Sequence, residues 1–457
     1  MSSNNFPFSA KTYQDRRNEL MKTVKTGRIL LLSNNFSSIN FKENHYRYRQ
    51  DSSFLYYIGI NQPEVHAVLD CETGETTLYG DEVSMDMIIW TGNQPALADL
   101  ATKSAIENIL PLSKLAELSA ENIKYLPPYR AEHELFLKSA LGVTQIEEHL
   151  DLILGVIAQR NIKSNDEIKL LDQAVTLSAK MHQTVIENTN PGMAEYQLVS
   201  IANAFAWDNN CCLSFPPILT INGQTLHNHY YGNTLKEDSM VLFDGGIELE
   251  SGYCGDMTRT FPAGKALTGI QSDIYNTVHR SYLKAEEESK PGIYYRDVHL
   301  EAAKVMVEGL KAIGFMKGNT EDAVNAGAHS LFFQHGLGHM MGIDVHDMEN
   351  LGEIYVGYDE SISKSKEFGL KSLRLGRQLQ GGNVITIEPG IYIIPELIDK
   401  FQAENKHLDY VDYNFLNKHR NTGGIRIEDD YLITSDSNRR LGEPLVNDLE
   451  SILALKS

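Results

Sequence analysis

Four acidic side chains and one imidazole in the second half of this 457-residue sequence have the types and settings of metal ligands. They are Asp244 and Asp256 in VLFDGGIELESGYCGDMTRTFP, His339 in HGLGHMMGIDVHD, Glu388 in VITIEPGIYI and Glu428 in GIRIEDDYLI. Brought together in a buried site, they would carry too much negative charge to persist without cations. Two divalent ions would neutralise it. Such a pair generates a hydroxide nucleophile from water near neutral pH and clamps an oxygen-bearing substrate, so the chemistry implied is hydrolysis. Each motif alone also has an ordinary explanation. The aspartates could end strands at the surface, each glutamate could pair with an internal arginine, and a lone histidine is usually a satisfied polar residue.

The elements around these residues decide whether they can meet. Both aspartate segments read as strands joined through ELESG, and a hairpin centred on Glu250 would set positions 244 and 256 opposite each other on one face. VITI is apolar throughout, so the glutamate that ends it needs a partner. In GIRIEDD, Ile425 and Ile427 share one face while Arg426 and Glu428 share the other, a polar face suited to a charged cleft. His335 and His339 stand four apart, a spacing that on a helix could bind zinc with both rings. Gly336 and Gly338 oppose a helix by about 1 kcal/mol each. A loop is therefore predicted, in which only one ring need touch metal, with Asp344, His346 and Asp347 following. TLHNHYYG adds His227 and His229 beyond an Asn-Gly turn at 222–223.

The wider sequence predicts two domains, 1–160 and 161–457. In the first, GRILLLS reads as a buried strand and HYRYRQDSSFLYYIGI as aromatic and β-rich. VHAVLD and TTLYG read as strands around a CETGE turn, and the alternation with helical segments makes an α/β unit. The second alternates long helices (271–289, 296–314, 320–333) with strands of antiparallel type (241–247, 253–261, 384–388, 391–394, 425–433). Two polar stretches, 358–382 and 395–424, read as surface insertions. Net charge is -20, from 41 basic and 61 acidic residues, which argues against nucleic acid or an anionic membrane as partner. The four cysteines show no metal-binding spacing, and the N-terminus has no signal-like apolar core, so a cytoplasmic location is expected.

Taken in order along the chain, YRYRQDSSFLYYIGINQPE, LHNHYYGN, FDGG, GDMTRTFP, HGLGHMMGIDVHD, TIEPGIYI and GIRIEDD resemble the motifs of the Xaa-Pro aminopeptidase (aminopeptidase P) and prolidase group of metallopeptidases. The resemblance implies a creatinase-like N-terminal α/β domain. Behind it would come a pita-bread catalytic domain, a curved and mostly antiparallel sheet flanked by helices. It implies a dinuclear site of manganese, with zinc or cobalt possible, held by Asp244, Asp256, His339, Glu388 and Glu428, in which Asp256 and Glu428 bridge the ions. It implies catalytic roles for His227, His335, His346 and Glu388, with His229 a nearby competitor of His227. His229, Arg426 and Trp90 would contact substrate, Trp90 by reaching a neighbouring subunit's site in a homodimer or homotetramer. One departure is the spacing of the two aspartates, a residue longer than in aminopeptidase P.

The activity implied is removal of the first residue from peptides with proline second, through a hydroxide bridging the metals. The close alternative is a prolidase restricted to Xaa-Pro dipeptides, which uses the same ligands. The N-terminal motifs tilt the expectation towards the aminopeptidase. A binding module of the same fold is a further alternative. Such proteins lose ligands, whereas all five candidates are present here.

Overall fold

The computed structural model describes residues 6–118 and 121–456. They form two compact units. One runs up to Arg160 and takes in two short returns, Glu250–Gly252 and Met348–Tyr355. The other holds Asn161–Leu249, Tyr253–Asp347 and the chain from Val356 onward. Among the described residues no helix is long and apolar enough to cross a membrane.

The first unit is built on a five-stranded sheet. Its order is Asn108–Leu110, Thr76–Tyr79, His66–Asp70, Arg28–Leu31, Ile123–Tyr125, with parallel outer pairs and antiparallel inner ones. Ile29, Leu30 and Leu31 of GRILLLS are buried, as the apolar run requires. CETGE makes the turn of the central hairpin, closed by the Asp70 N–H donating to the Glu75 carbonyl. The aromatic stretch departs from expectation, for Ser52–Ile58 is a helix. The Asp51 carboxylate caps it by accepting from the Phe54 N–H, and Gly59 ends it in a left-handed conformation at φ 76°. Capping chemistry at both ends outweighs the β preference of the aromatic residues.

The second unit packs long helices against short antiparallel strands. Its first helix, Asn165–Asn188, opens with a reciprocal capping box between Ser164 and Glu167. Leu171, Ala174, Val175, Ser178, Met181, His182 and Val185 form its buried stripe at helical spacing. Helices Gly269–Glu288 and Tyr295–Ile313 carry similar stripes. One three-stranded group runs Thr258–Pro262, Met240–Asp244, Ile218–Thr220, and another Val384–Ile387, Asp429–Ile433, Asn438–Arg440. A bridge between Thr258 and Glu428 joins the two groups, and Gly390–Tyr392 pairs with Gly424–Arg426.

Two expectations change here. The aspartate hairpin has a different register: Asp244 pairs with Thr258, not Asp256. Beyond that pair the two arms stay bonded in the same register. The Gly255 N–H donates to the Ile247 carbonyl and the Leu249 N–H to the Tyr253 carbonyl, so the turn centres on Ser251. Ile247–Glu248 pairs on its other edge with Cys212–Leu213. Gly246 and Gly255 meet there backbone to backbone, since a Cβ on Gly246 would lie 1.7 Å from the Gly255 carbonyl oxygen. The 358–382 and 395–424 stretches are also not simple surface insertions. Leu373, Leu375 and Leu379 are buried in the first, and Ile398, Phe401, Val411 and Leu416 in the second, which folds around the helix Pro395–Ala403. Their polar residues masked an apolar spacing that only packing reveals.

Candidate metal centre

Strand register builds one side of the site. Thr258 stands between Asp244 on one neighbouring strand and Glu428 on the other, so all three share a face. The Thr258 hydroxyl donates to Glu428 Oε2 at 2.6 Å and accepts from Arg426 Nε at 3.0 Å. Arg426 then donates through Nη2 to Asp244 Oδ2 at 2.5 Å and through Nη1 to the Tyr392 hydroxyl at 2.8 Å. Asp256 follows the Gly246–Gly255 contact, and its N–H donates to Asp430 Oδ2 at 2.9 Å.

A loop builds the other side. HGLGHMM runs alongside the strand Val384–Ile387 without joining it as a regular strand. The His339 N–H donates to Thr386 Oγ1, the Thr386 N–H to the His339 carbonyl, and the Glu388 N–H to the Leu337 carbonyl. This places His339 Nε2 at 3.4 Å from Asp256 Oδ2 and 3.9 Å from Glu388 Oε1. Ligand atoms of Asp256, His339 and Glu428 all lie within 4.8 Å of one another. The predicted loop, with one of its two histidines at the cluster, is what forms. His335 instead stands with Nδ1 at 3.5 Å from Glu388 Oε2, and the His346 ring lies 4.0 Å from that of His339.

Hydrogen-bond direction argues for a cation here. The Nδ1 of His339 sits 3.0 Å from the Met340 carbonyl oxygen, which can only accept, so that nitrogen carries the hydrogen. In the neutral ring, Nε2 then turns a lone pair towards the Asp256 carboxylate, a repulsive contact that a bound cation reverses. The Oδ1 of Asp256 is buried and has no hydrogen-bond partner. Four carboxylates face one guanidinium. Burial, then the charge of Asp244, raises the Asp256 pKa well above its ordinary value. Burial, then Asp256 and Glu388, does the same to Glu428. Burial, reinforced by Asp256 and Asp244 against His339 and Arg426, pushes Glu388 up to about 7. Oxygen-rich donors with one imidazole fit hard divalent ions such as manganese.

The site has a closed side and an open side. Side chains of Glu388 and His335 are each 17% exposed, against 3% for Glu428. The His335 pKa falls to about 3, through burial and then Arg426. Its Nδ1–H donates to the Gly336 carbonyl and its Nε2 accepts from the Tyr392 hydroxyl, both consistent with a neutral ring. His227 stands exposed at the rim, where loss of solvent, then Arg426, lowers its pKa while Asp244 opposes. Its charge is felt in turn by His335. His229 is exposed beside it. Trp90 belongs to the first unit, 86% exposed on the helix Met85–Thr91.

Several residues here escaped sequence reasoning. Tyr392 links His335 to Arg426; its place in EPGIYI, four after Glu388, was the available signal. Arg374, from the supposed insertion, lies close enough to lower the pKa of both His227 and His335. Thr258 had no signal beyond following the aspartate by two.

Residues 169–435 match metallopeptidase family M24, and residues 13–128 match the aminopeptidase P N-terminal domain. The Xaa-Pro aminopeptidase of Escherichia coli is 30% identical over 471 residues, which span 98% of each chain. The Xaa-Pro dipeptidase of Homo sapiens is 30% identical over 404 residues, covering 85% of this chain and 80% of its own. The solved structure of proline aminopeptidase P II from Yersinia pestis superposes with a TM-score of 0.82 at 28% identity, covering 98% of this chain and 99% of that one.

Proposed function

Because the chain belongs to metallopeptidase family M24, we propose that it is an Xaa-Pro aminopeptidase, releasing the first residue of peptides that carry proline second. The observation that carries this is the convergence of Asp256, His339 and Glu428, with Glu388 and Asp244 against them. Divalent cations bound there, which we assign as two manganese ions, supply Lewis acidity that lowers the pKa of water and polarises the scissile carbonyl.

The chain's own residues do the rest. Arg426, expected to contact substrate, is buried with its guanidinium committed to Asp244, Thr258 and Tyr392, so we assign it, with Thr258, to orienting Asp244 and Glu428 from behind. Glu388, on the open side, takes the proton of the attacking water. The bond to be cut is a tertiary amide whose nitrogen belongs to a ring, so its departure needs a proton delivered at that nitrogen. His227 and His346 are assigned to that proton and to the oxyanion. His335, held neutral between Tyr392 and Gly336, lines the proline side. His227 is preferred to His229 because its surroundings include Arg426 and Asp244. Exposed Trp90, with Met85, Met87 and Ile89 on the same short helix, is the surface we assign to a subunit contact in a homodimer or homotetramer, measurable by sedimentation. A content of only four cysteines in 457 residues accords with a cytoplasmic setting.

A prolidase reading has one observation in its favour. Arg374 on the His227–His335 side is a counter-charge for the free carboxylate of a dipeptide. The near-complete overlap with the bacterial aminopeptidase favours the first reading. Manganese-supplemented hydrolysis of Xaa-Pro dipeptides and longer Xaa-Pro peptides, side by side, tests both. Cleavage of the dipeptides alone would overturn the aminopeptidase reading, and no metal-dependent cleavage of either would overturn both.

A further inference from the structure

The segment that carries His339 and His346 contains three glycines and has no ladder of its own. Its first half is tied to the strand Val384–Ile387. Its second half, which ends in His346, is tied to a buried carboxylate. The Asp347 N–H donates to the Met340 carbonyl, closing the loop. Asp347 Oδ1 accepts from the Asp344 N–H at 3.4 Å, and Oδ2 accepts from Lys163 Nζ at 2.8 Å. Both side chains of that ion pair are 1% exposed. Gly342 packs onto the carboxylate so closely that a Cβ there would lie 2.4 Å from Oδ2.

Lys163 is itself on fixed backbone. Its N–H donates to the Gly382 carbonyl, at the start of the segment leading to Glu388, and the next residue, Ser164, caps the helix Asn165–Asn188. An ion pair this deep is a poor stabiliser, because desolvation offsets the attraction and an apolar pair of similar volume serves as well. What an apolar pair cannot do is hold hydrogen-bonded loop groups in one arrangement. We propose that Lys163, acting through Asp347, is a positioning residue: it fixes the loop so that the neighbouring His346 ring stays seated against His339, in place for the substrate. This rests on the assignment of His346 made above.

The test compares Lys163→Met, His346→Ala and the double variant on an Xaa-Pro peptide, with kcat, KM and bound manganese measured for each. Lys163→Met is expected to lower kcat about 10–100-fold, the usual cost of removing a group behind a site. Bound metal and KM should stay within about twofold. In the His346→Ala background it should cost nothing more, because residues acting through one another are not additive. Native kcat in folded Lys163→Met, or the same loss repeated on top of His346→Ala, would overturn the proposal. If the lone buried carboxylate prevents folding, Lys163→Met with Asp347→Leu removes both charges. That protein should fold and remain slow, and native turnover in it would sink the idea. Lys163→Arg, which keeps the charge, should recover most of the rate; a rate as low as that of Lys163→Met would count against the ion pair. A wild-type protein that cleaves no Xaa-Pro peptide would instead defeat the functional assignment, an outcome visible before any variant is made.

Discussion

Asp244 and Glu428 reach the centre because strand register sets them on either side of Thr258. His335, His339 and His346 reach it on a glycine-rich loop held by side-chain and backbone bonds to a neighbouring strand and to Asp347. The first region is buried, with the Arg426 donors shared among Asp244, Thr258 and Tyr392. The second is partly open at Glu388 and His335. A rigid sheet suits groups that hold ions at fixed distances, while a tethered loop can present rings to a substrate that comes and goes. The comparison assigns metal affinity mainly to the sheet side and turnover mainly to the loop side.

The strongest way to break it is at the two carboxylates assigned as bridges. Asp256→Ala or Glu428→Ala is expected to lower kcat by more than roughly 1000-fold, with loss of bound metal by elemental analysis. Unchanged turnover in metal-replete protein would undo the assignment. On the loop side, His346→Ala should lower kcat by about 100-fold while metal content stays native; metal loss there would erase the division. Thr258→Val keeps shape but deletes the hydroxyl shared by Glu428 and Arg426. It should weaken metal affinity by about 10-fold, read by titration against a competing chelator, with kcat at saturating metal much less changed.

The pH dependence sharpens the same division. Glu388 stands near 7, above its ordinary 4.5, so the metal-free folded protein holds that proton more tightly than the unfolded chain does. The resulting stabilisation is fully present below about pH 4.5 and lost as pH rises through about 7. A cation must displace the proton, so its binding strengthens over the same range. The gap in Tm between manganese-loaded and chelated protein should therefore widen from about pH 5 to about pH 8, by calorimetry. A constant gap would mean that these carboxylates do not hold the ion. The smallest effect is expected at the rim. His229→Ala should change kcat/KM by less than about threefold, and His227→Ala by about 10-fold or more.

The proximity of these side chains was legible because the proposed ligands sit in short motifs with strong local character: an apolar strand ending in Glu388, alternating faces in GIRIEDD, glycines that oppose a helix around His339. The two-residue error in the Asp244 register was not avoidable by pattern alone. It arises because the turn centres on Ser251, one residue past Glu250, which moves every cross-strand partner by two. Leu373, Leu375 and Leu379 were hidden among charged residues, and with them the placement of Arg374. The helix Ser52–Ile58 is the opposite case: its cap and stop signals, Asp51 and Gly59, are present in the sequence, but they flank aromatic residues of β preference. Tyr392 and Thr258 carry no charge and drew no notice, although each joins two functional groups.

The clearance between Gly246 and Gly255 has a further consequence. Any side chain at 246 would act as a wedge between the two backbones, and the next residue along the displaced arm is Asp256. Sensitivity to mutation should thus extend to a spot with no side chain, no charge and no contact with substrate. An alanine there would act as a lever on ion capture.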